Sequence, residues 1–438
     1  MARSASASVA QQRGRRRSRQ RRGIVGIVVL ALVLSLLGIA WHQLEAVTPM
    51  VASGGAASQA VTLAPQSYGP NAALRVSLPQ QRVYFVERRP EGFMLMWSDV
   101  AGAASPVTLL PDRFGAEDSD VVAALALAPS QRYLAIDAQR DHGDSVWVVD
   151  TRTNTLSARP DDATGSFLHW LPDGQHFLFR PIFPMGMQLA DWHPGLWIVD
   201  AANGTHRDLA LPNSMDSSQL LDAAPSPDGT HILFSTATGL GSGSTVWTMH
   251  ADGTQSTALL TSPDMLGLFS WSPDGQHIAY ESITDSTVPF RPAGLWTMAP
   301  TGTAPQQIGV ADGGHGFVPA WSPDSKQLAF VARLNPGDSA ADGHAGALVS
   351  GVSLYSTVTR DLSTVAGPEQ TGQPRNTNPV WQADGTLLFA AMSPGTGYGA
   401  ALSETALWQA QPTRGTVGVA SLASRFVTEQ STQIAIVP

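Results

Sequence analysis

At 438 residues and 43% hydrophobic content the chain can bury a large core, and its length leaves room for two or three domains. Its net charge of −9 is uneven: the first 23 residues hold eight arginines and no acid, which leaves 18 of the 26 basic residues against all 35 acidic ones, a balance of about −17. So acidic a body excludes nucleic acid as a partner, because nothing beyond the arginine arm neutralises phosphates, and the lack of cysteine excludes disulfides, thiol chemistry and a lipid-modified N-terminal cysteine.

In chain order, residues 1–22 form a basic arm that runs into an uncharged stretch ending only at Glu45. About 20 apolar residues span a bilayer as a helix, so the sequence predicts a transmembrane helix over 23–43. The flanking arginines place its N-terminus in the cytoplasm, and Trp41 suits the far interface. A cleaved signal peptide, with Gly38-Ile-Ala40 as its processing site, competes with the retained anchor. Both readings export the rest of the chain, so the expected location is the cell membrane, single-pass, with an extracytoplasmic C-terminal body. Residues 44–72 read as a flexible linker of roughly 30 Å.

From residue 73 to 424 one pattern recurs: Trp271-Ser-Pro-Asp-Gly275, then Ile278 and Tyr280 alternating with polar neighbours. Proline presets the first turn corner, aspartate accepts backbone N–H groups, and glycine takes the positive φ that closes the turn. Copies stand at Trp170-Leu-Pro-Asp-Gly174, Pro225-Ser-Pro-Asp-Gly229 and Trp321-Ser-Pro-Asp-Ser325, with weaker ones at Leu78, Ala128 and Trp381. Downstream of each turn an aromatic sits in an apolar run: Trp97, Trp147, Trp197, Trp247, Trp296, Tyr355 and Trp408. A period near 50 residues built of strands and turns predicts an all-β fold, a β-propeller of about seven four-stranded blades, with six possible. Blade one should contain strands at 74–78, 83–87, 94–98 and 107–110. Residues 425–438 are left as a tail or closing strand.

Strand alternation puts the Ser-Pro-Asp-Gly turns and the third turns (Asn203-Gly-Thr, Asp252-Gly-Thr, Thr301-Gly-Thr) on one rim. The long loops 181–194, 236–244, 282–293, 333–350 and 392–404 fall on the other, where binding groups tend to sit. The repeat resembles that of TolB-like, or WD-like, propellers of exported bacterial proteins. That resemblance implies a periplasmic scaffold for partner proteins, or a blade domain of the kind that gates prolyl-oligopeptidase-like peptidases. Neither a TolB-type N-terminal domain nor an appended hydrolase domain is expected beside it, a departure from those families.

Catalytic motifs are absent: there is no Gly-x-Ser-x-Gly elbow, no His-Glu-x-x-His and no phosphate-binding glycine loop. The sequence predicts no catalytic residue, no cofactor and no metal ligand. His176, His231 and His277 read as polar positions of the repeat, Asp173, Asp228, Asp274, Asp324 and Asp384 as turn caps, and His142 and Asp338–His344 as solvated acidic loops. Of twelve tryptophans one is not required by the repeat. Trp192 lies in the loop 181–194 beside His193, Phe183, Met185 and Met187, and Phe290 and Arg291 occupy the equivalent loop two blades on. These seven residues are the expected partner-binding surface for a protein or glycan, the competing reading being an apolar plug over the channel. Function is therefore expected to be non-enzymatic binding by a membrane-anchored propeller. The alternative is a glycan lyase or hydrolase with its site at the channel mouth.

Overall fold

The computed structural model describes residues 82–99, 104–111, 121–139, 145–160, 163–181, 195–211, 219–237, 242–284, 286, 288, 290–313, 317–393, 403–413, 416–428 and 434–438. Within them the chain is all-β apart from short helical turns such as Ser339–Gly343 and Pro368–Thr371. The first sheet holds Arg82–Arg89, Gly92–Asp99 and Ser105–Leu109. The second holds Val121–Leu127, Tyr133–Gln139, Ser145–Asp150 and Thr155–Ala158, and the third Gly165–Trp170, His176–Pro181, Leu196–Asp200 and His206–Leu209. The fourth comprises Gln219–Pro225, His231–Ala237, Ser244–His250 and Thr257–Ser262. An eight-stranded sheet follows in two runs: Met265–Trp271, Ile278–Ile283, Ala293–Met298 and Gln306–Ala311, then Ala320–Trp321, Gln327–Arg333, Ser350–Ser356 and Leu362–Ala366. One register pair, Ala311↔Ala332, joins the runs. The last sheet is Arg375–Trp381, Leu387–Met392, Ser403–Thr413 and Thr416–Thr428. Every pairing is antiparallel.

The turns work as their chemistry requires. At Trp271–Tyr280 the Gly275 N–H donates to Ser272 O at 2.8 Å with Gly275 at φ +69°, while the Asp274 carboxylate accepts from Gln276 N at 3.0 Å and Ser272 Oγ at 2.6 Å. Asp173, Asp228, Asp324 and Asp384 cap their turns in the same way. Ser325 replaces the glycine at φ +61°, a conformation that costs a side-chain-bearing residue about 1 kcal/mol. Its hydroxyl accepts a hydrogen bond from Asp274 N at 3.0 Å and so ties neighbouring turns together. The tryptophans before the turns do similar work: Trp170, Trp321 and Trp381 donate Nε1–H to Ala126 O, Ser270 O and Ala320 O of the preceding unit at 2.9, 3.0 and 2.9 Å. The third-strand aromatics stand directly across from a second-strand partner, as in Tyr84↔Trp97, Phe179↔Trp197, Phe234↔Trp247, Tyr280↔Trp296 and Phe389↔Trp408.

The core is a series of junctions between sheets. Alternation sends Ile278 and Tyr280 back against Leu233 and Val246 of the fourth sheet, and Ala279 forward against Leu328 and Phe330. Similar apolar clusters join the first sheet to the second, the second to the third, the third to the fourth, and the Gln327–Arg333 run to the last sheet. The final junction returns to the start. Ile434–Ile436 pairs with the first sheet (Val83↔Ile436, Tyr84↔Ala435, Phe85↔Ile434), and Ile434 and Ile436 pack with Leu388, Met392 and Leu407 of the last. Ala435, facing the other way, joins the cluster of the second sheet. Ile434–Ile436 thus takes the place expected for 74–78, which lie outside the described residues. The first sheet is completed by the end of the chain, the closing-strand reading of the tail. The outer strand Thr416–Thr428 also runs past the expected boundary at 424.

Among the described residues no helix is long and apolar enough to cross a membrane. The expected span over 23–43, the arm and the linker all lie outside them.

Candidate functional site: the long-loop rim and the charges beneath it

Where the sheets meet, one position on the second strand carries polar chemistry. It directly follows the residue opposite the third-strand aromatic, and in four consecutive units it is Asp137, Arg180, Ser235 and Glu281, all buried. The innermost strands bulge beside it (Leu220/Asp222 and Gly267/Ser270), which turns carbonyls out of the ladder. Arg180 donates to Leu220 O and Leu221 O at 3.2 Å, and Ser235 Oγ to Leu266 O at 2.7 Å, so each satisfies the bulge of the next unit.

At Glu281 the pattern changes. The next innermost strand is only Ala320–Trp321, and the chain leading into it brings Asp312 instead of a bulge carbonyl. Glu281 is 2% exposed and Asp312 1%. Burial, reinforced by the Asp312 charge, pushes the Glu281 carboxyl well above the usual range. Both causes favour its protonated form. Two guanidinium groups face Asp312: Arg333 Nη1 at 3.8 Å from Oδ1, and Arg375, which burial lowers from its ordinary value while Asp312 pulls it back.

Arg333, with no exposed side-chain surface, is the hub. Nε donates to Asn335 Oδ1 at 2.8 Å, Nη1 to Phe290 O at 3.0 Å and Nη2 to Asp342 Oδ1 at 3.1 Å. One residue thereby fastens two long loops, 282–293 and 333–350, to the connection that carries Asp312. Phe290 is consequently covered: it is 6% exposed and packs with Ala341 and Leu348, and its N–H donates to Asp342 O. Arg291 beside it is exposed. Asp338, one of the candidate cation-loop residues, caps the short helix by accepting from Ala340 N at 2.9 Å. Trp192, His193, Phe183, Met185 and Met187 lie outside the described residues, as does His142.

A second polar pair lies on adjacent innermost strands. Burial holds the His169 imidazole below its usual range although the Asp222 carboxylate opposes this, so His169 is neutral at pH 7. Asp222 spends its oxygens on Ala223 N and, in the next unit, Phe269 N at 3.1 Å.

Sequence reasoning missed Glu281, Asp312, Arg333 and Arg375. Aligning the repeats on the third-strand aromatic exposes the first of them, because that column reads Asp137, Arg180, Ser235, Glu281 where an all-apolar junction would hold alanine, as at Ala390. The other three lie in loops and strand ends outside the repeat frame.

Glu281 gives a testable pH dependence. Its folded value stands above the unfolded one near about 4.3, so the stability it supports is fully present below that value. It is lost as pH rises through the folded value, because the unfolded chain sheds the proton first. Glu281→Gln, neutral at every pH, is expected to flatten stability against pH above about 4.3, the unfolded value. Urea midpoints across that range measure it, and an unchanged slope would show that the carboxyl is already ionised in the folded protein.

No family model matches the sequence, and no curated protein does. Among solved structures, a prolyl endopeptidase superposes at TM-score 0.50 with 12% identity over 78% of this chain and 50% of its own. An oligogalacturonate lyase in complex with manganese gives 0.49, with 15% identity over 78% and 86%. TolB from Acinetobacter baumannii gives 0.41, with 16% identity over 64% and 62%, so the chain spans under two thirds of TolB's length. The endopeptidase match and the closed series of sheets agree with the repeat. The fold is a β-propeller, as the repeat predicts. At these identities the likeness covers the fold alone.

Proposed function

We propose that this propeller is a non-enzymatic scaffold that binds a protein or glycan partner on its long-loop rim. The observation that carries this reading is the Arg333 network: its charges are buried, and its hydrogen bonds end within the chain and fasten two rim loops. Loops held rigid in this way lose little entropy on binding. Glu281 and Asp312, the two carboxyls brought together here, are 2% and 1% exposed, which supports a structural role for this pair. The reading counts the eight-stranded sheet as two blades, seven in all, because its halves share one register pair and enclose their own apolar cluster.

In this proposal Trp192, His193, Phe183, Met185, Met187 and the exposed Arg291 make the contact, and the covered Phe290 holds the loop of Arg291 in place. An aromatic hot spot contributes on the order of 2 kcal/mol or more, roughly thirtyfold in affinity. Trp192→Ala is expected to abolish most capture of the partner from native envelope while leaving the melting temperature in place. Lowered stability with binding intact would identify the loop as a plug.

The proposal also keeps the chain on the membrane through 23–43, with the propeller outside. Protease added to intact cells should then remove the propeller and spare an N-terminal tag in the membrane fraction. A mature chain starting at Trp41 would establish cleavage instead.

A further inference from the structure

The rim of tight turns, opposite the proposed recognition face, carries an arrangement found in one unit only among the described residues. His231 begins the second strand of the fourth sheet and His250 ends the third, and the two are direct register partners with ring centroids 5.0 Å apart and planes at 86°. The repeat supplies a histidine at this point in the third unit as well, but the residue across from His176 is Asp200, and in the second unit the pair is Tyr133 and Asp150. Two imidazoles bonded to one ion at about 2.0–2.1 Å, with a tetrahedral or right angle between them, hold their centroids roughly 4.5–5 Å apart. The observed separation meets that requirement. Both side chains are half-buried, so an ion from solvent reaches them.

A hydrogen-bond chain sets the tautomer. Asp228, held down to about 2 by the Ser226 hydroxyl and the Thr230 bonds, is a carboxylate and accepts only. Thr230 Oγ1 donates to Asp228 Oδ1 at 2.8 Å and stands 2.8 Å from His231 Nδ1. With its proton committed to the carboxylate, the hydroxyl must accept from Nδ1–H. That leaves the lone pair of neutral His231 on Nε2, the nitrogen free to ligate, in the carboxylate-backed orientation that metal-binding histidines use.

The geometry points to a surface site for a borderline divalent d-block cation such as zinc, held by His231 and His250 with solvent or a ligand from another molecule completing the shell. Among the described residues no group of three or more ligating side chains converges, so the site has two protein ligands and open positions. Imidazole nitrogen selects zinc, copper or nickel over magnesium or calcium. The bound ion bridges two strands of one blade and stabilises the folded state by mass action.

Equilibrium dialysis of the purified full-length chain against zinc chloride at pH 7.5, in excess magnesium, tests this. One zinc is expected to be lost, with at least a tenfold fall in affinity, in His231→Ala and in His250→Ala. Thr230→Val, which keeps both rings but frees the tautomer, should weaken binding roughly tenfold, and His277→Ala should leave that zinc in place. Zinc stoichiometry unchanged in His250→Ala overturns the assignment. If the alanine variants fail to fold, zinc-induced thermal stabilisation is compared between wild type and His250→Gln, and equal shifts in the two overturn it as well.

Discussion

Ile434→Ala and Ile436→Ala are each expected to cost about 2–4 kcal/mol, and a chain truncated after Thr428 to lose cooperative unfolding altogether. The two isoleucines are 3% and 5% exposed, among Val83, Phe85, Leu388 and Leu407. Emptying such a site removes the transfer energy and leaves a cavity. Truncation does more, since it strips the first sheet of its inner strand and leaves the first and last sheets each with an uncovered apolar face. Urea unfolding followed by tryptophan fluorescence and by limited proteolysis measures this. Val358→Ala, at a side chain 70% exposed, serves as the control and should change nothing. A truncated chain that unfolds within about 1 kcal/mol of the full one would mean that the ring does not depend on its closing strand.

Arg333→Met is expected to cost about 3–5 kcal/mol, the range for removing one partner of a buried ion pair. It leaves Asp312 buried opposite one guanidinium rather than two, and it removes the Arg333 hydrogen bonds to Phe290 O, Asn335 Oδ1 and Asp342 Oδ1. Arg333→Lys should recover little, because an ammonium cannot span acceptors on three segments as a planar fork does. Adding Asp312→Asn to Arg333→Met should restore about 1–3 kcal/mol, the coupling typical of groups within one network. Additive losses in that cycle would place the stabilisation by Arg333 in its other bonds. Partner capture by Arg333→Met, measured at a temperature where the variant remains folded, should fall together with the order of loops 282–293 and 333–350.

Much of the fold was legible because the repeat is local. Trp271-Ser-Pro-Asp-Gly275 encodes its turn within five residues, and Ile278 and Tyr280 declare a strand by alternation alone. The closing strand was harder to read. Ile434-Ala-Ile436 is three residues without a turn motif, and its pairing with Val83–Phe85 bridges nearly the whole chain. Leu74–Leu78 resembled an inner strand for the same reason: alternation says that a segment can pair and not with what. The charge network was less legible still. Glu281, Asp312, Arg333 and Arg375 belong to four segments, and in sequence each is an ordinary surface residue; what distinguishes them is burial at a junction whose innermost strand is short. The seven residues expected to bind a partner rest on a different argument, one tryptophan surplus to the repeat with its neighbours and an equivalent loop, and sequence position alone does not separate an exposed residue from a covered one. Phe290 and Arg291 are adjacent in sequence, and only the second faces solvent.

Completion of the first sheet by Ile434–Ile436 also orders events in time. A chain that emerges from its N-terminus delivers Arg82–Arg89 early and must then wait, through the synthesis of every later sheet, for the strand that covers it. Until that moment the nascent molecule is an open arc with two adhesive ends. Any product cut short by premature termination stays in that form, with Val83 and Phe85 offered to whatever holdase or protease patrols the compartment. Completion of the first sheet is thereby tied to the arrival of Ile434–Ile436.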